Sequence, residues 1–322
     1  MNTCRLFSCL LVLLLAAPAH AGNNGWFNTY NSEIEKGELE IGVLADFDSP
    51  SRFRRDNDAL SRYNTAVLEL EYSPTSRYVT ELYVEGFKTE DTGRGHISGY
   101  RWENRYRLTT DESGWNPMLY LEYENVDARI HHKMEVTGWI NPPYDDSGGG
   151  DREHDIDGKL ILSRDFGPYN FAFNFIGEHN LDTGVTEFGI ATGVMRFFRP
   201  GRTRTATSGR KSEACANCAP ASKDEDHCCC GSEMKNCRCD HCNGPMSHCP
   251  CKPTGTLGLG AELLVALGDS KAFGIQTGRQ EDYLCPVLYY QVNSRMNARL
   301  ELPIGLTSQS DGLIRVGASY EY

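Results

Sequence analysis

Ten of the thirteen cysteines in this 322-residue chain fall between Cys215 and Cys251. They stand as Cys215-x-x-Cys218, Cys228-Cys229-Cys230, Cys237-x-Cys239-x-x-Cys242 and Cys249-x-Cys251, with His227, His241 and His248 among them. Thiolate sulfur is a soft ligand that favours Cu(I), Zn(II) and heavier congeners, and it can bridge two ions. Adjacent and Cys-x-Cys thiols therefore let a short chain wrap a polynuclear cluster, and Met234 and Met246 add thioether sulfur. No single tetrahedral template covers the segment, although Cys237, Cys239, His241 and Cys242 are close enough in sequence to share an ion. The expected chemistry is soft-metal ligation, with Cu(I) or Zn(II) as the ion and folding coupled to its arrival.

Two other readings of the same thiols stay open. Ten is an even number and exported chains meet oxidising conditions, so a disulfide knot is one. Three consecutive cysteines, each needing its own distant partner, make a complete knot crowded. Exchange between thiol and disulfide states is the other. Cys285 stands apart, in an alternating run with Val287 and Tyr289, and reads as a small packing residue.

The elements that must carry this segment are strands. Arg5, an apolar stretch over residues 6–18 and Ala19-His20-Ala21 read as an export leader, with the mature chain beginning near Gly22. Cys9 precedes the apolar core of that stretch instead of ending it, which argues against lipidation. After the leader no apolar run reaches the roughly 18 residues of a spanning helix, and the mean hydropathy is −0.48. A transmembrane barrel is compatible with such a value, because only every second residue faces lipid. The net charge of −12 argues against a nucleic-acid partner.

From about Lys36 apolar and polar residues alternate in segments of about ten, separated by Gly, Pro, Asp and Ser. Ile314, Val316, Ala318, Tyr320 and Tyr322 share one face, and Arg315, Gly317, Ser319 and Glu321 the other. Leu119, Leu121 and Tyr123 likewise oppose Tyr120, Glu122 and Glu124, while Leu300, Leu302, Ile304 and Leu306 oppose Arg299 and Glu301. Tyr100, Trp102, Tyr106 and Leu108 point outward in the same way, with Arg101, Glu103, Arg105 and Arg107 inward. The pattern predicts about twelve strands: 37–46, 63–73, 78–88, 97–108, 117–126, 156–165, 169–179, 184–197, 255–267, 281–292, 296–306 and 312–322. Tyr72, Tyr78, Tyr83, Tyr106, Tyr123, Tyr169 and Tyr290 are expected at the bilayer interfaces, and the final amphipathic strand ends on an aromatic, as barrel-insertion machinery reads. A secreted two-sheet sandwich would alternate too and is the competing fold. The connection 127–155, with His131, His132, Asp145, Asp146, Asp151, Glu153, His154 and Asp155, reads as an acidic surface loop with a divalent-metal or substrate site as the alternative.

Gly37-Glu38-Leu39-Glu40-Ile41, Thr80-Glu81-Leu82-Tyr83, Trp102-Glu103-Asn104-Arg105 and Leu119-Tyr120-Leu121-Glu122-Tyr123-Glu124 resemble a largely uncharacterised family of Gram-negative outer-membrane barrels. Pro286-Val287-Leu288-Tyr289-Tyr290 and Glu301-Leu302-Pro303-Ile304-Gly305-Leu306 resemble that family's closing strands and those of small-molecule transporter-like barrels. The resemblance implies an all-β transmembrane antiparallel barrel in the outer membrane and leaves the substrate undefined. Its exception is the metallothionein-like cysteine-rich insert, which stands where a short turn after Arg196-Phe197 is expected.

The organisation that follows is a leader (1–21), a first barrel part (22–198), a cysteine-rich insert (199–254) and a closing part (255–322). Strand parity places the insert in the periplasm. Outer-membrane lipid, metal ions and a periplasmic metal-handling protein are the expected partners. One function is an anchored soft-metal capture or buffering domain, and the other a channel for a metal or small solute with the insert as disulfide loop or gate. No Gly-x-Ser-x-Gly or His-Glu-x-x-His motif is present, and catalysis is not expected, although the His154 and His179 regions leave room for it.

Overall fold

The computed structural model describes residues 26–49, 63–89, 95–109, 114–127, 137–138, 152–167, 169–198, 255–310 and 312–322. Their regular elements are all β-strands. The first half comprises β1 (Leu39–Ser49), β2 (Tyr63–Thr75), β3 (Tyr78–Thr89), β4 (Gly95–Arg107), β5 (Asn116–Asp127) and β6 (Arg152–Phe166). There follow β7 (Tyr169–Asn180), β8 (Thr186–Phe198), β9 (Leu257–Asp269), β10 (Asp282–Gln291), β11 (Met296–Glu301), β12 (Ile304–Gly305) and β13 (Gly312–Glu321).

Successive strands pair antiparallel, and β1 pairs with β13 from Glu40↔Glu321 to Ser49↔Gly312, so the sheet closes on itself. Both β11 and β12 pair with β10 and form one barrel strand, interrupted at Leu302 and Pro303. Pro303 has no N–H for the ladder, which accounts for the break. The barrel therefore has twelve strands, and closure rules out the sandwich.

Alternation decides what each face meets. Leu119 and Leu121 are 49% and 56% exposed, whereas Tyr120 and Glu122 between and beside them are 4% and 2% exposed. Trp102, Tyr106, Leu68, Leu70, Leu259 and Ile314 extend the exposed apolar surface around the wall. Water does not tolerate so continuous an apolar belt, whereas hydrocarbon does, and a closed barrel leaves no backbone edge unpaired within it. The chain is an outer-membrane β-barrel.

Two expectations need correction. Tyr83 belongs to no interfacial belt: it is buried on the lumen side, where its hydroxyl donates to Glu103 Oε2 at 2.8 Å. Residues 152–155 are not loop but the first turns of the ladder in β6, with Glu153, His154 and Asp155 opposite Val126, Asn125 and Glu124. Their polar, charged composition concealed a strand whose pairing supplies the stability that its own pattern does not.

The short β2–β3, β6–β7 and β10–β11 connections lie at the end where β1 begins and β13 ends, called here the terminal mouth. At the β6–β7 connection Gly167 takes φ of 61°, which a side chain would strain. Phe198 and Leu257 are direct register partners, so the stretch of sequence between them is joined to β8 and β9 at this same mouth. The opposite, distal mouth carries the β1–β2, β5–β6 and β9–β10 connections.

Candidate functional site: a segment across the lumen

A barrel whose inner wall is lined by charge must either fill with water or be occupied by something polar. Residues 26–38 occupy it. The segment starts against β7–β10, crosses to β3–β6, and turns into β1 at Gly37, whose φ of 88° and N–H bond to Ser73 O (2.6 Å) mark the reversal.

Its backbone forms no strand, so its N–H groups need side-chain acceptors. Glu262 on β9 takes three of them: Phe27 N donates to Oε1 at 2.9 Å, and Asn28 N and Thr29 N donate to Oε2 at 3.0 and 2.9 Å. The Thr29 hydroxyl adds a fourth bond to Oε2 at 3.1 Å. Asn174 on β7 brackets Tyr30, accepting from its N–H at 2.7 Å and donating to its carbonyl at 2.9 Å. Ser163 on β6 accepts from Ser32 N at 2.9 Å.

Side chains complete the attachment. Trp26 donates its indole N–H to Asn170 Oδ1 at 3.2 Å and packs with Met195, Phe197, Val287 and Tyr289. Arg299 donates to Trp26 O at 2.8 Å, and the Arg299 and Arg315 guanidinium carbons lie 5.2 and 5.9 Å from the Phe27 ring centroid. Arg315 also pairs with both oxygens of Asp46 at 2.6 and 2.9 Å and donates to Asn28 Oδ1 at 2.6 Å. The Tyr30 hydroxyl donates to Glu103 Oε2 at 3.0 Å, and Ile34 packs with Val79, Met118, Tyr120 and Ile161.

The segment divides the lumen. On its distal side a cavity of about 220 Å³ reaches Asp46 and Thr65, near the outer ends of β1 and β2. On its terminal side a space of about 20 Å³ is bounded by Glu40, Glu71, Glu81 and Arg299. Phe27 and Tyr30 line both. Between its apolar patches the wall is charged: Arg105 contacts Glu71, Glu81 (3.0 Å) and Glu103 (2.5 Å), while Arg101 contacts Glu85 (2.7 Å) and Glu124 (3.3 Å).

Gly193 on β8 shows how closely wall and segment approach. A Cβ there would lie 2.7 Å from Cζ3 of Trp26, far inside van der Waals contact. With Trp102, Trp115 and Trp139 replaced by Phe so that Trp26 alone of the four tryptophans remains to emit, Gly193→Val should shift the emission to longer wavelength as the indole leaves its site. Unchanged emission would contradict the contact.

The sequence-predicted metal ligands Cys215, Cys218, His227, Cys228, Cys229, Cys230, Cys237, Cys239, His241, Cys242, His248, Cys249 and Cys251 lie outside the described residues, as do the leader and His131, His132, Asp145, Asp146 and Asp151. Cys285 is a free, buried thiol packed with Ile176, Ala191, Leu264 and Tyr283, in keeping with its expected packing role. His154 Nδ1 lies 3.8 Å from Asp182, and His179 Nδ1 lies 2.9 Å from the Thr186 hydroxyl, both near the distal mouth. The crossing segment escaped the sequence reading. Its interleaved aromatics and amides, Trp26-Phe27-Asn28-Thr29-Tyr30, are the one signal that could have found it.

No family model matches the chain, and no curated protein matches it. Among solved structures it is similar to the COG4313 outer membrane channel from Pseudomonas putida F1, with 10% identity and a TM-score of 0.48, over 92% of this chain and 100% of that one. It is also similar to the KdgM porin, with 9% identity and a TM-score of 0.41, over 87% and 98% of the two chains. The Acinetobacter baumannii outer membrane protein Omp33 matches with 7% identity and a TM-score of 0.35, over 91% and 100%.

Proposed function

We propose that this barrel is an outer-membrane channel for small polar solutes, held narrow by the segment at residues 26–38. The observation that carries the reading is the charged cavity on the distal side, floored by Phe27, Asn28 and Tyr30. A lumen built only for stability would pack apolar side chains, since a buried ion pair stabilises less than hydrophobic residues of the same volume. Reconstituted in planar bilayers, the purified barrel should give discrete current steps. A silent, correctly folded barrel would sink the reading.

The cysteine-rich insert supports a second role. Its thiol spacing suits soft-metal ligation, and in sequence it joins the described strands at Phe198 and Leu257, at the terminal mouth. With that mouth facing the periplasm, the insert would capture Cu(I) or Zn(II) there and present it to the lumen or to a periplasmic metal-handling protein. After reduction, the full chain should bind several equivalents of Cu(I) or Cd(II) more than a variant with the ten insert cysteines changed to serine. Equal binding by the two chains would leave the insert as a disulfide loop. Thiol labelling of intact and permeabilised cells with an impermeant reagent reads its side of the membrane.

A further inference from the structure

The registers place carboxylates opposite one another, strand after strand. Glu40 of β1 faces Glu71 of β2, which faces Glu81 of β3, which faces Glu103 of β4. Glu103 in turn faces Glu122 of β5, then Asp157 of β6, Glu178 of β7 and Glu187 of β8. Directly opposed residues share one face of a sheet, here the lumen. In a barrel with tilted strands the line joining them winds upward. It starts one residue into β1 at the terminal mouth and ends one residue into β8 at the distal mouth.

Like charges directly opposite each other are destabilising, so such a row works against the fold unless cations meet it. Arg105 meets part of it beside Glu71, Glu81 and Glu103. Higher up the balance fails. Among the described residues, Glu85, Glu122, Glu124 and Asp157 line the distal cavity with Arg101 and Lys159 beside them, while Arg315 at the same cavity is paired with Asp46. Oxygens of Glu122, Glu124 and Asp157 lie within 4.8 Å of one another. Asp157 is 4% exposed; its Oδ2 takes Lys159 Nζ at 2.8 Å, whereas its Oδ1 has no hydrogen-bond partner among the described residues. A buried carboxylate oxygen left without a donor, beside two further carboxylates and an open cavity, is an arrangement that a hard cation completes.

We propose that the carboxylate row is a cation path through the lumen, and that Glu122, Glu124 and Asp157 form its station for a divalent ion of the calcium class. Oxygen-only ligands select a hard ion, in contrast to the soft ions suited to the cysteines. The path rests on the channel reading; the station does not.

Two measurements test them separately. In a potassium chloride gradient the reversal potential of the wild-type barrel should move towards the potassium equilibrium potential, and Ca²⁺ added on the distal side should block the current. Asp157→Asn, checked for folding by its heat-dependent gel mobility, should raise the half-blocking Ca²⁺ concentration about tenfold or more. A potential displaced towards chloride, or block indifferent to Asp157→Asn, would overturn the path or the station respectively. Without any current, Tb³⁺ reports on the station alone. The Tyr120 hydroxyl is 2.7 Å from Glu122 Oε2, so bound Tb³⁺ should show tyrosine-sensitised emission that Ca²⁺ displaces. A silent barrel with that emission would remove the channel and keep the station, whereas absent emission would remove the station.

Discussion

Glu262→Ala should open the lumen without unfolding the barrel. The Glu262 carboxylate receives three backbone N–H groups and the Thr29 hydroxyl, and Glu262 itself is fully buried. Removing it leaves those donors without acceptors as long as the segment stays docked. Hydrogen bonds to charged groups contribute about 1.5–3 kcal/mol each, and bonds sharing one acceptor are not additive. The docked state therefore loses on the order of 3–5 kcal/mol, which moves the docked-to-undocked ratio by roughly two to four powers of ten. Single-channel records should show long openings absent from the wild type. Glu262→Gln, which keeps a carbonyl acceptor but adds a donor among donors, should fall between the two. Wild-type records from Glu262→Ala would show that the anchoring lies elsewhere, in the Asn174 bracket or the Trp26 pocket.

How much of this could be read beforehand differs by element. The period-two division of Leu119, Leu121 and Tyr123 from Tyr120, Glu122 and Glu124 was legible because lipid and lumen demand opposite chemistries at adjacent positions. Strand boundaries followed from the same demand to within two residues along most of the wall. They failed at Arg152–Asp155, where polar residues on both faces left no contrast. Tyr83 was misplaced because tyrosine serves equally at a bilayer interface and, through its hydroxyl, beside a buried Glu103.

The crossing segment was illegible for a different reason. It has no period, and its bonds run to Glu262, Asn174 and Ser163, which are 235, 144 and 131 residues away along the chain. Nothing local announces such partners. The carboxylate row was half legible: alternation puts each glutamate inside, but only the register shows that Glu81, Glu103, Glu122 and Asp157 follow one another around the wall. The cysteine-rich insert presents the opposite case, a strong local pattern whose point of attachment, between the partners Phe198 and Leu257, required the fold.

Removing residues 26–35 altogether should have the largest effect of any change considered. It deletes Trp26, Phe27, Asn28, Tyr30 and Ile34 from the lumen but leaves Gly37 and every strand of the ladder. The charged wall thus uncovered is solvated readily by water, whereas the patches that Trp26 and Ile34 cover, Met195 to Tyr289 and Val79 to Ile161, lose apolar cover, so the shortened barrel should be less stable but keep its hydrogen-bonded ladder. The two cavities then join along the barrel axis, and current should rise several-fold over the intact chain, with weaker discrimination among solutes.

The channel reading and the role of the segment are tested together by recording the intact chain and the chain lacking residues 26–35 in the same bilayers, each verified as folded by its gel mobility. The expected result is a small unitary conductance from the intact barrel and a several-fold larger one from the shortened chain. Equal conductances would mean that the segment does not limit passage, and no current from either chain would contradict a solute path through this barrel.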